Sequence, residues 1–126
     1  MLPSKNRLRK GFLGIYKDKK KVVCPMFLLF YKENGKGYPR IGFVIRKKLG
    51  KAHLRNRVKR MFRAIVMEKL VEDDNFKNMG YDLIFLINHN ITNQEQTNLE
   101  QPGWEGIKYM DIKNSIKDAF TRIDKT

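Results

Sequence analysis

The stretch RKKLGKAHLRNRVKRMFRAIV, residues 46–66, decides how the chain folds. From residue 54 onward its apolar side chains recur at i, i+4, i+7, i+8, i+11 and i+12, which is the spacing of one face of an α-helix. The six are Leu54, Val58, Met61, Phe62, Ile65 and Val66. The pattern predicts an amphipathic helix that ends near Leu70 and packs this face on the core.

The remaining faces of this helix are basic. No Asp or Glu occurs between Glu33 and Glu68, while eleven Lys or Arg do. Arg55, Lys59 and Arg63 form a row of like charge, and each such i, i+4 pair costs an isolated helix about 0.2–0.5 kcal/mol. A face that is merely solvated, which is the alternative, usually interleaves acids with bases. The row of like charges therefore indicates a helix that faces a polyanion. The planar guanidinium groups of its arginines can bind phosphate through two hydrogen bonds.

The composition points the same way. The 126 residues fit one domain and carry a net charge of +14. The first 67 residues hold 20 Lys and Arg against 2 Asp and Glu, whereas the rest hold 7 against 11. A single cysteine excludes a disulfide framework, and the longest apolar run, residues 22–31, is too short to span a bilayer. We expect a cytoplasmic nucleic-acid-binding protein.

Ahead of the basic helix, the sequence predicts one helix and two strands. Ser4 is a plausible N-cap for a first helix, in which Leu8, Phe12, Ile15 and Tyr16 follow at helical spacing. The apolar run Val22–Tyr31 predicts one strand covered on both faces, with Pro25 at an edge or bulge. A turn at residues 33–37 leads into a second strand, residues 41–45, antiparallel to the first.

Behind the basic helix, the sequence predicts a strand, a loop and a closing helix. Residues 81–88 are apolar on both faces, which is typical of a central strand. Residues 89–106 are polar and predict a loop or insertion, with Trp104 inside it. Ile112, Ile116, Ala119, Phe120 and Ile123 form the apolar face of the last helix. The resulting order is α-β-β-α-β-α, an α+β sandwich in one domain.

No group of residues in the sequence is typical of a catalytic site. The two histidines, His53 and His89, have no partner at metal-ligand spacing. Cys24 lies in a predicted strand, and the pair Asp73-Asp74 lies in a polar connection without an apolar pocket. The residues by themselves predict an RNA- or DNA-binding protein without catalytic residues of its own.

At the basic helix the sequence resembles a known family, the bacterial ribonuclease P protein subunit. The resemblance rests on Leu49-Gly50-Lys51-Ala52 followed by Arg55-Asn56-Arg57-Val58-Lys59-Arg60 and Arg63. The family pattern of two lysines, a hydrophobic residue, Gly, Ala and Arg-Asn-Arg-x-Lys-Arg-x-x-Arg is present from Lys47 to Arg63 without a gap. A weaker resemblance extends over most of the chain.

The resemblance implies a fold and a division of labour. The fold is that of the second domain of ribosomal protein S5, with the basic helix in a left-handed β-α-β crossover, whereas chain physics alone favours a right-handed one. In this family the RNA subunit hydrolyses the phosphodiester with Mg²⁺ that the RNA mainly holds, and the protein assists. The implied partners are ribonuclease P RNA and precursor tRNA, with no membrane. The oligomeric state of the free protein stays open.

The resemblance also implies two binding surfaces. The residues that match those contacting the RNA subunit are Arg55, Asn56, Arg57, Lys59, Arg60 and Arg63. The residues that match those binding the 5′ leader of precursor tRNA are Phe12, Tyr16, Phe30, Arg46, Lys47 and Lys48. Aromatic faces stack on bases while cations follow the backbone. Core packing is the alternative role for Phe12 and Tyr16, and Tyr31 is an alternative to Phe30.

Two other classes of protein remain open from the residues alone. One is a ribosomal or assembly protein that binds structured RNA without processing it. The other is a DNA-binding regulator that places the basic helix in a major groove. The second would read base edges from the start of the helix, whereas this helix offers mostly phosphate contacts.

Overall fold

A four-stranded sheet with helices on both faces makes up the computed structural model, which describes residues 2–17, 20–24, 26–87 and 107–123. The strands are β1 (Lys21–Val23), β2 (Phe27–Glu33), β3 (Arg40–Ile45) and β4 (Tyr81–Ile87). The helices are α1 (Phe12–Lys17), α2 (Ala52–Glu72), α3 (Asp74–Lys77) and α4 (Tyr109–Ile123). Two short 3₁₀ turns, Ser4–Asn6 and Lys47–Leu49, precede α1 and α2.

The strands lie in the order β1-β2-β4-β3. β2 is antiparallel to both β1 and β4, whereas β3 is parallel to β4. Two adjacent parallel strands need a crossover connection, and α2 supplies it between β3 and β4. The predicted β-α-β unit is therefore confirmed, while the hand of its crossover stays a prediction. β4 is central and buried on both faces, as its sequence predicted.

The main core lies between one face of the sheet and the helices α2 and α4. The apolar face of α2 is buried as predicted, and Val58, Phe62, Ile65 and Val66 have no exposed surface. Phe27 of β2 makes edge contacts with Phe62 and Phe85, at centroid distances of 5.6 and 5.3 Å. The predicted apolar face of α4 closes the same core. This packing directs the polar side of α2 to solvent.

The prediction of a single strand over Val22–Tyr31 is wrong. The chain reverses after Val23 and returns as β2, with Val22 paired to Leu29. The amide of Cys24 donates to the carbonyl of Phe27 at 2.9 Å, which closes the reversal. The residue that follows Cys24 in sequence is a proline, which has no N–H for a continuous ladder. Pro25 itself lies outside the described residues.

The prediction of a helix capped by Ser4 is also wrong. Ser4 begins a 3₁₀ turn, after which Arg7 bridges to Ile41 and the amide of Leu8 donates to the carbonyl of Ile41 at 3.0 Å. The helix begins only at Phe12, since Gly11 takes a φ of +86° that no helix contains. The edge of β3 therefore competes successfully with helix formation for these backbone groups.

Two further features differ from the predicted order. β3 runs antiparallel to β2, as predicted, but β4 lies between them. The connection after α2 contains α3, whose N-cap Asp73 accepts hydrogen bonds from the amides of Asn75 and Phe76. Asp73 is thus a helix cap. The predicted loop at 89–106, with Trp104, lies outside the described residues.

Candidate nucleic-acid interface

The polar side of α2 carries all six residues predicted to contact an RNA subunit. Asn56, Arg57 and Arg60 are exposed, while Arg55, Lys59 and Arg63 are half-buried at its margins. The Arg55 side chain donates from Nε to the carbonyl of Gly50 at 3.1 Å, so it also fixes the start of the helix. The fold therefore brings these six residues together on one helix, opposite its core face.

Carboxylates are absent from the first four turns of α2. Glu68 and Glu72 lie in its last turns, and Glu68 is paired with Lys113 of α4 at 3.0 Å. The hydrogen bond from Lys113 lowers the pKa of Glu68, and Tyr109 donates a further hydrogen bond to the same carboxylate. Glu68 thus serves the contact with α4, and among the described residues no carboxylate forms an ion pair with the basic part of α2.

The opposite face of the sheet carries a second surface, which we call the aromatic cleft: Phe12 and Tyr16 of α1 with Phe30 and Val44 of the sheet. Here α1 buries Ile15 against Ile84 of β4. The rings of Tyr16 and Phe30 meet edge to face at 4.8 Å, and both residues remain half-exposed. Burial raises the pKa of the Tyr16 hydroxyl, and the charge of Arg46 partly offsets this.

Phe30, and not Tyr31, belongs to this cleft. Successive side chains of a strand point to opposite faces, and Tyr31 points into the main core. There its ring stacks on Tyr81 at 5.8 Å. The choice between Phe30 and Tyr31 that the sequence left open is therefore decided by the geometry of β2.

Phe12 packs in the space left by Gly42, a contact that the sequence analysis did not predict. An ideal Cβ at Gly42 would stand 2.5 Å from Cζ of Phe12, so only glycine leaves room for this ring. Phe12 is nonetheless half-exposed. The structure thus gives Phe12 a packing contact at the tip of its ring and leaves part of the residue accessible.

Cations border the aromatic cleft. Arg46 and Lys47 are exposed at the end of β3, while the side chain of Lys48 lies outside the described residues. Lys21 was missed by the sequence analysis. Its Nζ lies 5.9 Å from the ring centroid of Phe30, because Lys21 and Phe30 are register partners in β1 and β2. Recognising the β1–β2 hairpin would have revealed it.

A groove of about 300 Å³ connects the two surfaces along the outer edge of β3, and we call it the β3-edge groove. Lys59 and Arg63 of α2 line one side, and Phe12 of the aromatic cleft lines the other. Arg7 and Arg9, which the sequence analysis did not single out, complete it. The two predicted binding surfaces are therefore neighbours on one continuous basic region.

The described residues hold no group of three or more His, Cys, Asp or Glu side chains arranged for a metal ion. Cys24 is buried in the core, where burial raises the pKa of its thiol. His53 is exposed on the first turn of α2, and His89 lies outside the described residues. Among the described helices, none is long and apolar enough to cross a membrane.

An α+β fold with a cationic crossover helix and an aromatic cleft beside it is that of an RNA-binding protein. The profile of the family described as Ribonuclease P matches residues 2–123, and the chain belongs to that family. Membership makes it the protein component of a ribonuclease in tRNA processing. The family resemblance and the fold class predicted from the sequence are thereby confirmed, against the two alternative classes of protein.

Individual relatives and structures agree. The ribonuclease P protein component of Alkaliphilus oremlandii is 31% identical over 112 residues, which cover 87% of this chain and 95% of that protein. The component from Fusobacterium nucleatum is 32% identical over 117 residues, covering 91% and 94%. The solved structure of the RNase P protein from Thermotoga maritima has a TM-score of 0.72 at 25% identity, covering 92% of this chain and 96% of that one.

Proposed function

We propose that this protein is the non-catalytic subunit of ribonuclease P and works in the cytoplasm. In this proposal α2 docks on the catalytic RNA subunit, while the aromatic cleft binds the single-stranded 5′ leader of precursor tRNA. The observation that carries it is the cationic side of α2, with which no carboxylate of the described residues forms an ion pair, next to half-exposed aromatic rings.

Docking through α2 follows from its charges. Arg57 and Arg60 are exposed, and no Asp or Glu occurs on α2 before Glu68. Each guanidinium can hold a phosphate through two parallel hydrogen bonds, and each neutralised phosphate releases counterions. Asn56 adds an uncharged donor and acceptor beside them. The surface suits the backbone of a folded RNA.

Leader binding through the aromatic cleft follows from its mixed character. Bases of any sequence stack on aromatic side chains, which contributes about 1–3 kcal/mol per base. Phe12, Tyr16 and Phe30 offer such surfaces, and Lys21 and Arg46 stand beside them to follow the phosphates. A cleft of this kind would accept leaders that differ in sequence.

The chemistry, in this proposal, belongs to the RNA subunit and to Mg²⁺ that the RNA holds. The protein contributes by lowering phosphate–phosphate repulsion, since its basic half meets the RNA. The absence of a metal-ligand cluster from the described residues is compatible with this division.

Reconstitution with a bacterial-type ribonuclease P RNA tests the proposal. We expect the RNA and protein together to cleave precursor tRNA at low Mg²⁺, and the protein alone to cleave nothing. Added Mg²⁺ should partly replace the protein, because both screen phosphate charge. Metal-dependent cleavage by the purified protein, free of RNA, would refute this division of labour.

A further inference from the structure

A second basic groove, which we call the turn groove, lies between the N-terminal segment and the connection from β2 to β3. It has a volume of about 320 Å³. Its lining includes Lys5, Arg7, Arg9, Lys10, Lys36 and Arg40, and no lining residue is acidic. Arg7 and Arg9 also line the β3-edge groove, so the two grooves form one track that begins at Arg63 and Lys59 of α2.

Two side-chain amides order the turn groove, one between its walls and one within the turn. Asn6 is 3% exposed and donates from Nδ2 to the carbonyl of Pro39 at 2.7 Å, which ties the N-terminal segment to the turn. Asn34 donates to the carbonyl of Tyr38 at 3.1 Å and accepts from the amide of Lys36 at 2.8 Å. The backbone of the two walls is thus fixed by the fold before any ligand binds.

The charges of the turn groove are mostly uncompensated. Arg40 is the exception, because its guanidinium binds both oxygens of Asp82 at 2.7 and 2.6 Å. The Arg7 side chain donates one hydrogen bond, from Nε to the carbonyl of Leu2 at 2.9 Å, and this neutral partner does not compensate its charge. Among the described residues, no carboxylate lies within ion-pair distance of Lys5, Lys10 or Lys36. The groove therefore suits an anionic ligand.

The turn groove offers cations that can contact phosphates, but it has few aromatic side chains on which a base could stack. Its one aromatic side chain, Tyr38, is half-buried, and the ammonium of Lys5 lies 5.0 Å from its ring centroid. Single-stranded RNA is held by aromatic platforms as well as charge, whereas paired RNA is recognised mostly through its phosphates and 2′-hydroxyls. This composition favours the backbone of a folded RNA over a flexible leader.

We propose that the track from α2 across Arg7 and Arg9 to Lys5 and Lys36 binds backbone phosphates of the same RNA that docks on α2. The footprint of the RNA subunit then extends past the basic helix to the β2–β3 turn. This inference rests on the proposed function, and it adds a binding site whose residues lie outside the basic motif on α2.

The test is a salt titration of RNA-subunit binding by the variants Lys5→Ala, Lys36→Ala and their combination. Each lost phosphate contact should reduce the slope of log affinity against log salt by roughly 0.7–0.9. Lys117→Ala on α4 removes the same charge from an exposed site outside the track and should leave the slope unchanged. Lys→Gln variants, which keep most of the stem, repeat the measurement, and circular dichroism checks folding.

A second arm separates the two possible sources of the phosphates. The variant proteins are saturated with RNA subunit and titrated with precursor tRNAs that have short or long leaders. We expect the ratio of the two affinities to equal that of the unmodified protein. A loss confined to the long leader would assign the groove to the leader and overturn the proposal.

Arg60→Ala distinguishes failure of this inference from failure of the proposed function. If Arg60→Ala weakens RNA binding and the turn-groove variants do not, the footprint ends at α2 and the inference is wrong. If Arg60→Ala also leaves RNA binding unchanged, the docking role of α2 is itself wrong.

Discussion

Phe12 places the tip of its ring against Gly42 and remains half-exposed. A ring fixed in this way loses little freedom when a base stacks on it, because its position is set before binding. The pair explains why an α-helix of only six residues can present an aromatic platform in a defined place.

Replacing Phe12 by Ala should weaken binding of leader-bearing precursor tRNA to the holoenzyme by about 1–3 kcal/mol, the contribution of one stacked base. Binding of mature tRNA should hardly change. Leu13→Ala is the matched control, since Leu13 is on the same helix and 65% exposed. Loss of the folded state in Phe12→Ala, seen by circular dichroism, would show instead that this ring serves only the core.

Gly42→Ala tests the same contact from the other side. Its Cβ would stand 2.5 Å from Cζ of Phe12, so the ring must move away from the sheet. We expect a loss of leader affinity similar to that of Phe12→Ala, although the aromatic side chain is still present. A Gly42→Ala protein with unchanged leader affinity would show that the position of the ring does not matter.

At the scale of elements, α2 separates stability from binding. Its core face is buried apart from the half-buried Met61, while Arg57 and Arg60 are exposed on its polar side. Replacing either arginine by Ala should change the free energy of unfolding by no more than about 0.5 kcal/mol, as for other surface sites. The salt slope of RNA-subunit binding should shrink by roughly 0.7–0.9 per substitution. Unchanged RNA affinity in both variants would refute the assignment of this face.

Two further substitutions on α2 show what kind of contact is made. Arg→Lys at residues 57 and 60 keeps the charge but loses the planar fork. A loss close to that of the Ala variants would show bidentate phosphate binding, and full recovery would show that charge suffices. Asn56→Ala removes no charge, so it should weaken binding and leave the salt slope as it is.

The helices α2 and α4 were predicted correctly because each carries its own apolar periodicity. The face of α2 was predictable because six apolar residues repeat at helical spacing over three turns. The β1–β2 hairpin was not, because Val22 and Leu29 both belong to one unbroken apolar run in which Pro25 is the only sign of a reversal. A continuous apolar run indicates a buried strand, but it does not indicate where that strand ends.

The same distinction applies to the candidate site. The cations of α2 lie on one helix, so their spacing alone brought them together. Arg7 and Lys21 join the site through tertiary contacts, the bridge from Arg7 to Ile41 and the register of Lys21 with Phe30. Gly42 joins because a ring from another element rests on it. Pairings between distant segments were needed to find these three.

In the whole molecule the two faces of the sheet differ in how many apolar residues they bury. One face is covered by α2 and α4 over a large core, whereas α1 covers the other with a small cluster centred on Leu8, Ile15 and Ile84. Ile15 is the only residue of α1 that is fully buried. The proposed RNA-subunit surface thus lies on a helix that packs on the large core. The proposed leader surface includes α1, which buries only one residue.

Hydrogen exchange should resolve this difference. A helix of six residues is far too short to be stable alone, so α1 depends on its few contacts and should open locally with a free energy below that of global unfolding. The amides of Ile15, Tyr16 and Lys17 should therefore exchange faster than those of β4, such as Ile84 and Phe85, which open only with the whole domain. In the holoenzyme, a leader-bearing precursor tRNA should slow exchange in α1, because a ligand that binds only the ordered helix stabilises it. Mature tRNA, which has no leader, is the control and should leave α1 unchanged. If α1 and β4 are equally protected in the free protein, the two faces form one cooperative unit, and the leader surface is as rigid as the core.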